Sequence, residues 1–347
     1  PSASESEATP PGADAAIEAA RAACAEFINA SAAEIAFGAN MTTLTFHLSR
    51  ALGSAYSAGD EVVVTELDHH ANIAPWHRLA AERGLKVLTV KLVPETGQLD
   101  WESFEQAVTS RTRLIAIGAA SNALGTINDI SLATKMARDI GAQIFIDAVH
   151  YAPHALIDVR ALDCDFLSMS AYKFYGPHIG VLYGKRELLE RIDFPKLIPA
   201  PDAAPENVET GTQNQEGMVG AGATIDFLSE LTAGKSRRER LARVYEELHI
   251  RGGELTKRLW DGLSGIPNVR LYGPTPEQRR TRRSGRRRRD DLELEAGDRG
   301  TVTVEPRAVE RLAEGIALQH PAVELAKFQA LRVPPERFVL QIQWDTL

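Results

Sequence analysis

Residues 165–184 read DFLSMSAYKFYGPHIGVLYG. Residues 166–169 and 179–183 are short apolar runs, each the length of a buried strand. Between them lie Ser170, Ala171, Tyr172, Lys173 and a Gly-Pro turn. A lysine set between two buried strands is not an ordinary solvated surface lysine. Burial lowers a lysine's pKa and makes its amine nucleophilic, as Schiff-base chemistry requires. Taken alone, the same residue also reads as a lysine snorkelling from a strand end.

The rhythm of this stretch extends in both directions. Strands are expected at 34–37, 61–65, 86–90, 114–118, 143–147, 166–170 and 180–183, and helices at 13–30, 41–52, 73–83, 101–108, 132–140 and 186–192. On helix 13–30, Ile17, Ala20, Cys24 and Phe27 share one side. Such alternation implies an α/β fold with a mostly parallel sheet covered on both faces. Right-handed crossovers then gather the loops at the strand C-termini on one edge, where ligands bind. Downstream, 196–216 is Pro-rich and polar and reads as a long surface excursion. Helices follow at 217–231 and 237–263, a strand at 268–272, helices at 307–315 and 322–331, and a last strand at 337–343. Three parts result: a disordered start at 1–12, a large domain at 13–235, and a smaller α+β domain at 236–347 whose stretch 274–300 is atypical.

Composition sets outer bounds. The chain has 347 residues, 44% hydrophobic, with 39 Lys+Arg against 47 Asp+Glu and a net charge of -8, ordinary for a globular protein. Its two cysteines, Cys24 and Cys164, form no disulfide framework and indicate a reducing compartment. No apolar run approaches the roughly 20 residues that span a bilayer. PSASESEATPPGADAA at 1–16 has neither the charged nor the apolar region of a secretory signal. A cytoplasmic location without membrane contact is expected. The first residue is not Met, so the true start is expected upstream. The charge is uneven: RRTRRSGRRRR at 279–289 holds eight arginines and no acid, and without it 31 bases face 47 acids. The run reads in three ways: a solvated loop, a locally shifted reading frame, or a polyanion patch. The lack of interleaved aromatics argues against nucleic acid.

Four more segments fall at expected strand ends. In FIDAVHYAPH (145–154), Asp147 closes a buried strand; a carboxylate there is either a ligand to something cationic or a helix cap. In TELDHHANIAPW (65–76), His69 and His70 precede a helix. Adjacent side chains point apart, and no CxxC or HExxH spacing supports a metal, so an imidazole stacked on an aromatic cofactor fits better. In SNALGTIND (121–129), Asn122 can offer an amide to a ligand or be a plain loop residue. In GANMTTLTF (38–46), Thr42 and Thr43 open a helix, where free N–H groups and the dipole favour phosphate and where Thr is also a common cap.

In this order and spacing, TELDHHANIAPW, SNALGT, IDAVHYAPH and SAYKFYGPHIGVLYG resemble the class V aminotransferases, pyridoxal-phosphate enzymes of fold type I, and most of all their cysteine desulfurase-like branch. The resemblance runs from about residue 13 to about residue 273. It implies a large domain on a seven-stranded type of sheet that carries pyridoxal 5'-phosphate, and a smaller C-terminal domain. It implies that Lys173 carries the cofactor as an aldimine and serves as general base at the substrate Cα. Asp147 would pair with the pyridinium nitrogen, and His69 would stack on the ring. Asn122, and His150 where relatives often have Gln, would lie beside the phenolic oxygen. Thr43 and Ser170, with Thr42 next to them, would bind the phosphate. Tyr172 replaces a His of many desulfurases. Thr212, in ETGTQNQEG, resembles a position that reaches the phosphate of a second subunit, so a homodimer with shared sites is implied.

The implied activity proceeds through an external aldimine with an amino acid: a desulfurase-like lyase first, transamination second. An impaired homologue that only binds cofactor is the alternative from another class. Relatives carry an upstream Gly-containing loop and, after the position of Pro274, an arginine for the substrate carboxylate. True desulfurases add a loop with a nucleophilic cysteine, since a thiolate takes the sulfur. The place for that loop, near 319–328, has no cysteine, and Leu340 or Gln341 stands where the arginine is sought.

Overall fold

The computed structural model describes residues 12–279 and the backbone of two further strands, Phe328–Val333 and Arg337–Ile342. Nine strands and nine helices precede that final pair among the described residues. In chain order they are α1 (Ala13–Ile28), β1 (Ile35–Gly38), α2 (Met41–Gly53), β2 (Glu61–Thr65), α3 (Ala74–Arg83), β3 (Lys86–Val90), β4 (Leu92–Val93), β5 (Gln98–Leu99), α4 (Trp101–Ala107) and β6 (Thr112–Gly118). There follow α5 (Ile130–Ile140), β7 (Gln143–Asp147), α6 (Val159–Leu162), β8 (Phe166–Ser170), β9 (Gly180–Gly184), α7 (Arg186–Arg191), α8 (Gln215–Glu230) and α9 (Arg237–Ser264). Seven strands form one sheet in the order β1-β9-β8-β7-β6-β2-β3. Pairings from β8 through β3 are parallel, while β9 and β1 join antiparallel. The expected mostly parallel seven-stranded sheet is therefore present.

Side chains alternate along each strand, so each strand feeds two cores. Ile115, Ile117, Ile144, Ile146, Leu167 and Met169 face one side, with α1, α5 and α8 over them. Leu114, Ala116, Phe145, Phe166 and Leu182 face the other, beneath α2 and α3. Helices on both faces leave the strands no solvated side, which is why β2 (EVVVT) and β8 (FLSMS) are buried throughout. On α1, Ala20, Cys24 and Phe27 are buried and Ile17 packs beside them. Helix α8 crosses α1 at Gly222, where a Cβ would come within 2.6 Å of the Ala20 Cα. In α9 only Leu241, Val244 and Tyr245 are buried, so the rest of this long helix contributes little to the core.

Three expectations are corrected. Residues 268–272 are not a strand: Asn268 has φ 77, outside the β region, and Arg270 lies over the Tyr272 ring at 5.0 Å. Within the expected helix 322–331, residues 328–331 instead belong to the strand Phe328–Val333, paired antiparallel with Arg337–Ile342, while 322–327 lie outside the described residues. Pairing overrides the helical propensity of Gln329, Ala330 and Leu331 there. The stretch 196–216 is only partly a surface excursion. Leu197 and Ile198 are exposed, but Ala204, Asn207 and Val208 are buried. Asn207 donates to the Leu189 carbonyl at 2.8 Å, and Glu209 receives two hydrogen bonds from Arg21 at 2.7 and 3.1 Å. The expected helix 307–315, the start 1–11, the cysteine-loop position and the arginine run beyond Arg279 lie outside the described residues. Among the described residues no helix is long and apolar enough to cross a membrane.

Candidate active site

The parallel strands β2, β6, β7 and β8 end on one edge, and most of the residues singled out in the sequence stand there. Asp147 is the last residue of β7, paired with Gly118 of β6 and Ser168 of β8. Its carboxyl is buried. The Val149 N–H donates to its Oδ1 at 2.9 Å, the one hydrogen bond to it among the described residues. Burial pushes this carboxyl up to about 6, against the smaller opposing effect of that N–H. A buried acid that receives one backbone N–H is suited to a ligand that brings a positive N–H.

Ser170 ends β8 and is fully buried. Its Oγ accepts from the Met41 N–H at 3.0 Å, which ties the β8 end to the first turn of α2. The hydroxyl keeps its own proton to donate, and helix N-termini favour anions. Asn40 caps α2, accepting from the Thr43 N–H at 2.9 Å, while the Thr43 hydroxyl donates to the Asn40 carbonyl at 2.9 Å. Thr42 and Thr43 are both exposed. Thr43 is thus a cap partner at the same helix start that meets Ser170.

Lys173 sits in a short 3-10 turn, Ala171–Phe174, between β8 and β9. It is half-buried rather than enclosed, because the turn lifts it past the strand end. Its Nζ lies 5.5 Å from the Tyr172 ring centre, and Tyr172 stacks on His178 at 4.8 Å. His69 lies beyond the end of β2 and caps a 3-10 turn, its Nδ1 accepting from the Ala71 N–H at 3.1 Å. When the ring is neutral, that bond places the proton on Nε2. Partial burial first, then the charge of Lys173, holds the imidazole below its usual range. Lys173 and His69 are therefore electrostatic neighbours. Asn122 and His150 are half-buried in the loops after β6 and β7. Thr212 stands exposed ahead of α8, with no hydrogen bond or ion pair to the strand-end residues.

One residue of this edge escapes a motif reading. Asp68, just before His69, accepts from the Gly118 N–H at 2.6 Å and from Asn72 Nδ2 at 3.2 Å. Burial first, then the neighbouring Asp147, holds its carboxyl well above the usual range. Asp68, Asn72 and Trp76 are spaced four residues apart, but the partner that gives Asp68 its place, Gly118, is 50 residues away, and no local signal marks it. Asn72 in turn accepts from Trp76 Nε1 at 3.3 Å. No cluster of three or more His, Cys, Asp or Glu able to hold a metal ion occurs among the described residues.

A family model described as aminotransferase class V matches residues 4–284. A cysteine desulfurase of Dickeya dadantii is 35% identical over 278 residues, covering 76% of this chain and 64% of its own length. A cysteine desulfurase of Synechococcus elongatus is 35% identical over 279 residues, covering 76% of this chain and 42% of its own. The chain thus spans less than two thirds of either relative. Among solved structures, an apo cysteine desulfurase from Thermococcus onnurineus aligns with a TM-score of 0.68 at 31% identity, covering 76% of this chain and 65% of that one. The cysteine desulfurase CsdA of Escherichia coli aligns at 0.65 with 28% identity, covering 77% and 68%.

Proposed function

The chain belongs to the class V aminotransferase family, and from that premise we propose that it is a pyridoxal-phosphate enzyme acting on an amino acid as a cysteine desulfurase-like lyase. One observation carries the reading: a buried acid, and a lysine beside an imidazole, stand at the C-terminal edge of one mostly parallel sheet. The names of the relatives point to cysteine as the substrate.

When bound, the cofactor supplies an electron sink for the charge that forms at the substrate Cα. The chain's residues do the rest. Lys173 is the attachment point and then the base that moves the Cα proton. Asp147 would hold the ring nitrogen's proton in a buried ion pair. His69 would lie against the ring, where burial and then the charge of Lys173 hold its imidazole below the usual range and favour the uncharged form. Asn122 and His150 would sit beside the ring's phenolic oxygen, with Tyr172 flanking the lysine. Ser170, Thr42 and Thr43 would bind the phosphate at the α2 N-terminus. Thr212 would reach the phosphate of a second copy in a homodimer that shares its sites. Residues 13–235 would form the cofactor domain and 236–347 the smaller one.

The test is a panel of amino acids given to the full chain after loading with pyridoxal phosphate. With L-cysteine and a thiol reductant, sulfide and alanine should form in equal amounts, the reductant being oxidised. Formation of the oxo acid instead would assign transamination. A chain that takes up no cofactor would end the enzyme reading.

A further inference from the structure

Asp68 plays no part in the proposed reaction, yet two hydrogen bonds tie it into the edge. The Gly118 backbone is clamped from both sides. Its N–H donates to Asp68 Oδ1 at 2.6 Å, and its carbonyl accepts from Asn128 Nδ2 at 2.7 Å. There is no room for a side chain: a Cβ on Gly118 would lie 2.5 Å from Asp68 Oδ1. Gly118 is the β6 residue in register with Asp147, and the Ala119 N–H after it donates to the Asp147 carbonyl at 2.8 Å. Asp68 is itself held by Asn72, and Asn72 by Trp76. The fully buried Trp76 packs edge-on against Phe145, at 5.6 Å, two residues before Asp147. A closed circuit runs from β7 through α3 and the β2 loop to β6 and back to Asp147.

The geometry points to Asp68 as a positioning residue: a carboxyl that holds the β6 end in place so that Asp147 keeps its position for the cofactor's ring nitrogen. This inference rests on the proposed cofactor chemistry. Its physical basis is geometric: Asp68 Oδ1 accepts from the Gly118 N–H and its Oδ2 from Asn72 Nδ2, which ties the loop after β2 to the β6 residue in register with Asp147. Asparagine keeps an oxygen acceptor for the Gly118 N–H, and alanine does not.

The experiment compares wild type, Asp68→Asn and Asp68→Ala as full chains. Three readings are taken: hydrogen exchange of the peptide containing Gly118, pyridoxal-phosphate dissociation constants, and the nitrogen-15 shift of ring-labelled cofactor in the loaded proteins. Asp68→Ala should exchange at Gly118 at least tenfold faster, bind cofactor at least tenfold more weakly, and move the ring-nitrogen signal toward its unprotonated position. Asp68→Asn should stay within about threefold of wild type in both rates and affinity, with its ring signal unmoved. An Asp68→Ala protein with wild-type affinity and ring signal would overturn the inference. So would an Asp68→Asn protein as impaired as Asp68→Ala, since an oxygen acceptor for the Gly118 N–H would then not be what holds the strand end. If wild type binds no cofactor while Asp68→Ala still speeds exchange at Gly118, the proposed function fails, and the ring-positioning role with it. Should Asp68→Ala not fold, wild-type behaviour of Asp68→Asn is the supporting result and its impairment the overturning one.

Discussion

Replacing Glu209 by alanine is expected to destabilise the fold by about 3–5 kcal/mol, the range for a buried ion pair that loses one partner. Glu209 is the buried acid that faces a guanidinium with almost no access to water. The side chains of Arg21 and Glu209 are 4% and 8% exposed, whereas Glu18, 3.6 Å from Arg21, is 61% exposed and well hydrated. Burial works against the charge of Arg21, but the bonds from Glu209 outweigh it and keep the guanidinium ionised. The removed carboxylate also leaves the Phe37 N–H, which donates to it at 2.8 Å, without that acceptor. The double variant Arg21→Met with Glu209→Leu should recover most of the loss, because it removes both charges and fills the space. Urea unfolding of the two singles and the double gives the coupling directly. A loss below about 1 kcal/mol for Glu209→Ala would mean that the pair behaves like a solvated surface pair. The same clamp holds the loop that carries Thr212, three residues on, so cofactor retention in the proposed dimer should weaken as well.

Asp147→Asn should make the cofactor-free protein more stable and the loaded one nearly inactive. In the folded state burial raises this carboxyl from 3.8 to about 6. A raised acid stabilises the fold fully below its unfolded value, and that stabilisation is lost as pH climbs through the folded one. A rise of about two pH units corresponds to ~3 kcal/mol. At pH 8 the Asn variant, which never ionises, should therefore gain up to about 3 kcal/mol over wild type, and the gain should vanish near pH 4. Turnover should fall ~100- to 1000-fold, the scale on which losing one preorganised electrostatic partner is felt. Stability given up for a charge held ready is the usual bargain of an active site. Equal pH dependence of wild type and variant would show that Asp147 is not strained by burial.

Much of this was legible because each signal is local. Near-continuous apolar runs in EVVVT and QIFID, with helical stretches between, require a sheet covered on two sides, and Asp147, Ser170 and Lys173 could be placed at its edge from their positions alone. Asp68 and Glu209 were not legible in the same way. Their roles depend on partners 50 residues away at Gly118 and 188 residues away at Arg21, and no periodicity encodes such distances. The strand expected at 268–272 failed for the complementary reason: apolar alternation proposes a strand, but only a neighbouring strand completes it. Residues 196–216 looked like loop by composition, and they are; what composition hides is that Ala204, Val208 and Glu209 turn inward.

The central claim is that Lys173 holds the cofactor. It is tested most directly by loading the full chain with pyridoxal phosphate, reducing with borohydride, and mapping the peptides by mass spectrometry. One reduced pyridoxyl group should be found on the peptide bearing Lys173, and none on Lys173→Ala treated alike. Stoichiometric label on a different lysine, or equal label on wild type and Lys173→Ala, would contradict the account.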